Sequence, residues 1–282
     1  MNRREHFVAL GPRRYRVERP WTTPDRVSFA VISDVTVLSS GRVVVLCRSN
    51  PAVLIFEPDG TLADTWPMPD LVAGHYIRAI AGDRLLITDF DGHRVFVLTA
   101  TGERERVFGE RDRPRFGEPF SHPADAIESA DGEIFVADGY GNSCVHRFSA
   151  DGRLLATWGK PGSGMLEFST PHAIAFDRAG RLLVVDRENN RVQILDCAGG
   201  WLGEISGLYK PMAVEPTPDG GALVTDHTPR SIPQRASSSA GAGPSAPSAT
   251  ASPWRLTARS SSLRWGLTCS RVLPPSPSEA IP

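Results

Sequence analysis

The sequence is poor in cysteine, has no surplus of either charge and contains no long apolar run, and each shortage removes a class of protein. Its four cysteines, Cys47, Cys144, Cys197 and Cys269, are scattered through 282 residues without a CxxC pair. Neither a thiolate zinc ribbon nor a disulfide framework is therefore indicated, and the first three are expected to act as small buried hydrophobes. With 31 basic and 32 acidic residues the formal net charge is −1, so no global field gathers nucleic acid or an anionic membrane. No apolar stretch reaches the ~18 residues of a membrane span, and Met1-Asn2-Arg3-Arg4-Glu5-His6 is not followed by the apolar core of a signal peptide. A cytoplasmic chain with no membrane contact is the expectation.

What is present is a repeat. Short apolar runs end in Asp, a turn follows, and another apolar run closes on a second turn, as in Ile134-Phe135-Val136-Ala137-Asp138 followed by Gly139-Tyr140-Gly141-Asn142. Strands need alternating apolar side chains and turns need residues tolerant of positive φ, so this pattern predicts short antiparallel strands. The pairs His75/Asp89, Ala124/Asp138, His172/Asp186 and Met212/Asp226 share one spacing of fourteen positions, and Ser33/Cys47 keeps it. A third strand and a fourth follow each Asp, with turns such as Asp59-Gly60, Thr101-Gly102 and Asp151-Gly152 between them. Four-stranded units recurring every ~40–50 residues have the period of propeller blades, whose two apolar faces are buried by radial neighbours.

The segments Ala124-Asp125-Ala126-Ile127, Ile134-Phe135-Val136-Ala137-Asp138 and Asp186-Arg187-Glu188-Asn189-Asn190-Arg191-Val192-Gln193 resemble NHL repeats. The resemblance implies an all-β, NHL-type β-propeller of six-bladed ancestry, about four and a half blades being legible over residues 28–230. Residues 1–27 form an N-terminal segment in which the stretch around Val17 is a candidate blade-closing strand. Residues 231–282 are rich in Ser, Ala, Pro and Arg, and are expected to be a disordered tail. Because the fifth unit breaks off after Arg230, the tail is suspected of being out of frame. The bland alternative is a native low-complexity tail. An open ring with exposed apolar faces, and hence low stability, is expected in either case.

In a propeller the start of each innermost strand lines the central channel. The register places Ser33, His75, Ala124, His172 and Met212 there. Alternate blades of a six-bladed ring stand about 120° apart, so three histidines on alternate blades converge as a catalytic zinc requires. His75 and His172 are two such residues, and the bland alternative is that they are polar channel residues bonded to water and backbone. His93 and His146 fall in outer strands and are expected to be solvated. His122 is expected in a loop contact, and His227, after Asp226, is a weaker candidate for the channel mouth.

The segments Asp138-Gly139-Tyr140-Gly141-Asn142-Ser143, Thr170-Pro171-His172-Ala173 and Asp186-Arg187-Glu188-Asn189 further resemble the peptidyl-α-hydroxyglycine amidating lyases. That resemblance implies zinc held by His75, His172 and a third histidine with no counterpart before the tail. It also implies catalysis by Tyr140 with Arg187 and, on a looser match, Arg48, and a calcium ion whose Asp ligand is not found. The substrate would be a small peptide or amide, whose carbinolamide C–N bond is cleaved to amide and glyoxylate. Tyr140 would need cationic neighbours or a zinc-polarised substrate to ionise near neutral pH, because an unperturbed tyrosine titrates near ~10. Against these roles stand a capping turn for Tyr140 and a rim salt bridge to Glu188 or Asp186 for Arg187. Two alternatives remain open: a non-catalytic propeller binding a peptide or protein at its channel mouth, and a lyase resembling the streptogramin lyases, which needs a different histidine pattern.

Overall fold

Residues 6–10, 13–17, 21–22, 29, 31–217 and 220–227 are described by a computed structural model of the chain. The suspected frame change and the tail at 231–282 lie outside the described residues. A hairpin of β1 (His6–Leu10) and β2 (Arg13–Val17) comes first. Val17 is thus in a strand, but its partner there is His6 of β1. Among the described residues no ladder joins β2 to the last blade.

Four antiparallel meanders follow. They are β3 (Ile32–Val37), β4 (Val43–Cys47), β5 (Val53–Phe56) and β6 (Leu62–Trp66); β7 (Gly74–Ala79), β8 (Leu85–Asp89), β9 (Arg94–Leu98) and β10 (Arg104–Gly109); β11 (Asp125–Glu128), β12 (Ile134–Asp138), β13 (Cys144–Phe148) and β14 (Leu154–Trp158); and, after the short parallel pair β15 (Lys160–Pro161) and β16 (Glu167–Phe168), β17 (Pro171–Phe176), β18 (Leu182–Asp186), β19 (Arg191–Leu195) and β20 (Trp201–Ile205). Half a blade ends the series, β21 (Pro211–Pro216) paired with β22 (Ala222–Asp226). The innermost strands neighbour one another in sequence order, β3 against β7, β7 against β11, β11 against β17 and β17 against β21. This is the radial order of a propeller.

The alternation read in the sequence explains why the blades stack. On β8, Leu85 and Ile87 pack against Leu46, Val53 and Ile55 of the first blade, while Leu86 between them packs against Ile134, Val136 and Phe148 of the third. The same two-sided packing joins the third blade to the fourth, and Leu183, Val185 and Ile194 of the fourth to Val214 and Val224 of the half blade. Each such Val, Leu or Ile contributes roughly 1.5–3 kcal/mol when fully buried. The outer face of the first blade, with Val45, Leu54 and Phe56, is partly covered by Phe29 and by Trp21, whose ring lies 5.5 Å from that of Phe56. The turns are tight because residues such as Gly152, at φ 91°, accept a conformation closed to most side chains.

The repeated Asp is the device that aims each blade at the channel. Asp89 Oδ1 accepts the amides of Val72 and Ala73 at 3.1 and 2.9 Å, Asp138 accepts that of Ser121 at 2.9 Å, Asp186 that of Ser169 at 2.7 Å, and Asp226 that of Tyr209 at 3.3 Å. Each carboxylate at the end of the second strand therefore fixes the loop that enters the innermost strand. That loop delivers His75 and His172.

Candidate active site in the channel

The channel wall is stitched by an alternation that the register predicts only in part. His75 donates its Nδ1–H to the carbonyl of Ala124 at 2.9 Å, and His172 donates its own to the carbonyl of Met212 at 2.8 Å. Each imidazole thus bonds the residue at its own register position in the next blade. One residue further on, Asp34 accepts the amide of Ile77 at 3.0 Å and Asp125 that of Ile174 at 2.9 Å. Histidines on the second and fourth blades donate to main-chain carbonyls of the blade that follows, and aspartates on the first and third accept its main-chain amides.

A carbonyl can only accept, so the Nδ1 bonds fix the tautomer and leave the Nε2 lone pair of each ring available. The His75 Nε2 faces the Tyr140 hydroxyl at 3.2 Å. The two imidazole centroids are 5.0 Å apart, and the Tyr140 ring lies 5.5 Å from His75 and 5.8 Å from His172. Burial depresses the pKa of both histidines, that of His172 to about 3 with His75 as the next contribution. Both rings are consequently neutral at physiological pH, the state a metal ligand needs.

Tyr140 reaches this position because of its glycines. A side chain at Gly139 would collide with the carbonyl of Pro171, the residue before His172, and one at Gly141 would collide with Ser121. Burial raises the pKa of the Tyr140 phenol, and the charges of Arg187 and Arg48, which act to lower it, do not outweigh that effect. The cationic neighbours foreseen for Tyr140 are present, but they do not ionise it by themselves. Arg48 is tethered by its Nε to Ser33 Oγ at 3.1 Å, and Ser33 in turn donates to the carbonyl of Gly74 beside His75. The Arg187 Nε is 3.5 Å from Glu188, which Lys210 holds at 2.8 Å, and that Nε is buried without a hydrogen-bond partner. Asp186 is occupied elsewhere, by Arg191, Asn189 and Gln193.

His227 is exposed, though close enough to depress His172 further. His122 makes the expected loop contact, its amide bonding His93 Nδ1 at 3.2 Å. Two expectations are corrected. His93 and His146 are buried, 5% and 0% exposed, because the outer strands are covered by adjacent blades and loops. Cys197 is exposed in the Asp196–Gly199 turn rather than buried, whereas Cys47 and Cys144 are buried. Three channel residues escaped the sequence reading. Phe90 stacks edge-on against Tyr140 at 4.6 Å, Tyr76 donates its hydroxyl to the Met212 carbonyl at 2.8 Å, and Arg78 grips Asp125 with Nε at 3.0 Å and the carbonyl of Ile174 at 2.7 Å. Phe90 shares the register position of Arg48 and Arg187, and Tyr76 that of Asp34 and Asp125, so the spacing already pointed to both.

The fold and this arc of blades define the chain as a β-propeller. The NHL repeat family matches at residues 168–195. NHL repeat-containing protein 3 of Mus musculus is 32% identical over 202 residues, covering 66% of this chain and 58% of that protein. Peptidyl-alpha-hydroxyglycine alpha-amidating lyase 2 of Drosophila melanogaster is 29% identical, over 62% of this chain and 43% of its own length. The chain thus spans less than two thirds of the length of each of these relatives. Among solved structures a streptogramin B lyase superposes with a TM-score of 0.58 at 16% identity, covering 70% of this chain and 62% of that one; this likeness concerns the fold alone. No helix among the described residues is long and apolar enough to cross a membrane.

Proposed function

We propose that the channel is an amidating-lyase-like centre that takes a small peptide or amide ending in a hydroxylated glycine. The observation that carries the proposal is the convergence of Tyr140, His75 and His172, with the tautomers of both histidines fixed by main-chain carbonyls. His75 and His172 would hold a divalent ion, zinc by the family resemblance, through Nε2, and the neutral rings suit it. A bound ion of this kind lowers the pKa of a hydroxyl beside it. Arg48 and Arg187, whose Nε has no hydrogen-bond partner, suit the substrate carboxylate, since guanidinium donors recognise carboxylates strongly. Releasing the Tyr140 bond to His75 frees the Nε2 lone pair and brings the phenol oxygen to the substrate. Tyr140 would act as the phenolate, its own proton having first passed to solvent; it would take the proton of the carbinol hydroxyl and return it to the amide nitrogen as the C–N bond breaks and the carbinol carbon becomes the aldehyde of glyoxylate.

A second reading, a propeller that binds a peptide at its channel mouth without turnover, is favoured by the donor count. Among the described residues the channel offers two imidazoles, where catalytic zinc usually has three protein ligands. Glyoxylate release from α-hydroxyhippurate tests the proposal. Turnover that disappears on EDTA treatment, in His172→Ala and in Tyr140→Phe is the expected result. Folded, zinc-supplemented protein that releases no glyoxylate would overturn the lyase assignment and leave the binding module.

A further inference from the structure

The repeated blade Asp is buried and fully enclosed at Asp89, Asp138 and Asp186, each 0% exposed. In two of these three blades an arginine on the facing strand supplies the counter-charge. Asp89 is paired in register with Arg94, whose Nη2 lies 2.8 Å from it, and Asp186 with Arg191, whose Nε lies 2.8 Å from it. In the third blade the same register position opposite Asp138 is Cys144. Two residues further along, where the sibling blades carry Phe96 and Gln193, stands His146. Both replacements bring a metal-ligating side chain to the same carboxylate. The three ligand atoms lie within 4.8 Å of one another, and all three residues are buried.

We infer that Asp138, Cys144 and His146 form a structural site for a zinc-class divalent ion, separate from the channel. Charge balance supports it. A buried carboxylate without a compensating cation costs several kcal/mol, and a neutral imidazole gives a hydrogen bond but no charge. A divalent ion with one thiolate and one carboxylate sums to zero, as does the Arg–Asp pair of the sibling blades. The spacing fits as well. Ligand bonds of about 2.0 Å to N and O and 2.3 Å to S give tetrahedral edges of roughly 3.3–3.6 Å. The observed separations are 3.1 Å from His146 Nε2 to Asp138 Oδ2 and 3.5 Å from that nitrogen to Cys144 Sγ.

The surroundings orient the set. His146 Nδ1 is 2.8 Å from Thr157 Oγ1, which with Nδ1–H as the donor leaves the Nε2 lone pair aimed at the cluster. Asp138 is held by the amide of Ser121 and by Asn142 Nδ2 at 2.7 Å. Sulfur ligates as the thiolate, so binding releases the Cys144 proton as the metal–sulfur bond forms. Because the cluster is enclosed, the ion is acquired as the blade folds and exchanges slowly afterwards.

The sulfur ligand provides the test, since none of the candidate channel ligands, His75, His172 and Tyr140, carries sulfur. Full-length protein is produced with cobalt(II) or zinc(II), for the parent, for His75→Ala/His172→Ala and for Cys144→Ser. Metal per chain is measured by mass spectrometry, and the thiolate-to-cobalt charge-transfer absorption is recorded. The expected result is one slowly exchanging equivalent and the thiolate band in the parent and in the His75→Ala/His172→Ala protein, both lost in Cys144→Ser. Cys144→Arg, which restores the sibling-blade residue, should fold without the ion and keep its melting temperature on prolonged chelation. Folded parent protein with no thiolate band, or Cys144→Ser that retains the equivalent, would overturn the site. The channel assignment is untouched by that outcome, because the double histidine variant removes the channel from the measurement.

Discussion

Replacing Arg78 by Met removes a cation that ties three blades together at the channel. Arg78 is on the second blade, its partner Asp125 on the third, and the Ile174 carbonyl it also holds is on the fourth. Without it the Asp125 carboxylate, 0% exposed, keeps only the amides of Ile174 and Ala126, at 2.9 and 2.8 Å. Breaking a buried pair costs about 3–5 kcal/mol, because an uncompensated charge is left behind. A fifth of the Arg78 side chain is exposed, so the lower end applies and a loss of about 3 kcal/mol is expected. That is a large part of the ~5–15 kcal/mol that holds a domain folded. Urea unfolding at pH 7 measures it. The midpoint should fall with an unchanged slope, and Arg78→Met/Asp125→Asn should recover at least about 2 kcal/mol by removing the stranded charge. Since Ile174 is two residues from His172, the single variant should also shift the His172 ring resonances. A single variant within about 1 kcal/mol of the parent, or a double variant no more stable than the single, would refute the reasoning.

Two further outcomes follow from the same wall. Although part of Asp34 faces the channel, burial pushes its carboxyl from 3.8 to about 7. The folded state then holds this proton more tightly than the unfolded chain, so its contribution is fully present below pH ~4 and is lost as pH rises to about 7. Asp34→Asn, which keeps an acceptor for Ile77, should flatten the stability profile across that window, and an unchanged profile counts against the assignment. Gly139→Ala should cost about 1–3 kcal/mol through its collision with the Pro171 carbonyl, read as a lower Tm; an unaltered Tm would show that the Tyr140 turn is looser than described.

The blades follow from local spacing alone. Period-two alternation dictates strands, the fourteen-residue register places His75 and His172 at equivalent points, and an Asp at the end of the second strand fixes each entry loop, because these effects depend only on local spacing. Tertiary structure decided what the spacing cannot encode. The Nδ1 partners of the histidines come from Ala124 and Met212 on neighbouring blades, so tautomer and charge state are products of packing. The phenol of Tyr140 is governed by burial, which overrides two arginines that sequence matching had already named. His146 sits on an outer strand, where the pattern implies solvent, yet it is enclosed beside Asp138 just as Phe96 and Gln193 are at the same place in the sibling blades, and an arginine of those blades is here a cysteine. That exchange is visible in the sequence as a single letter. Its meaning appears only when the facing strands are in register and the Asp138 carboxylate is buried.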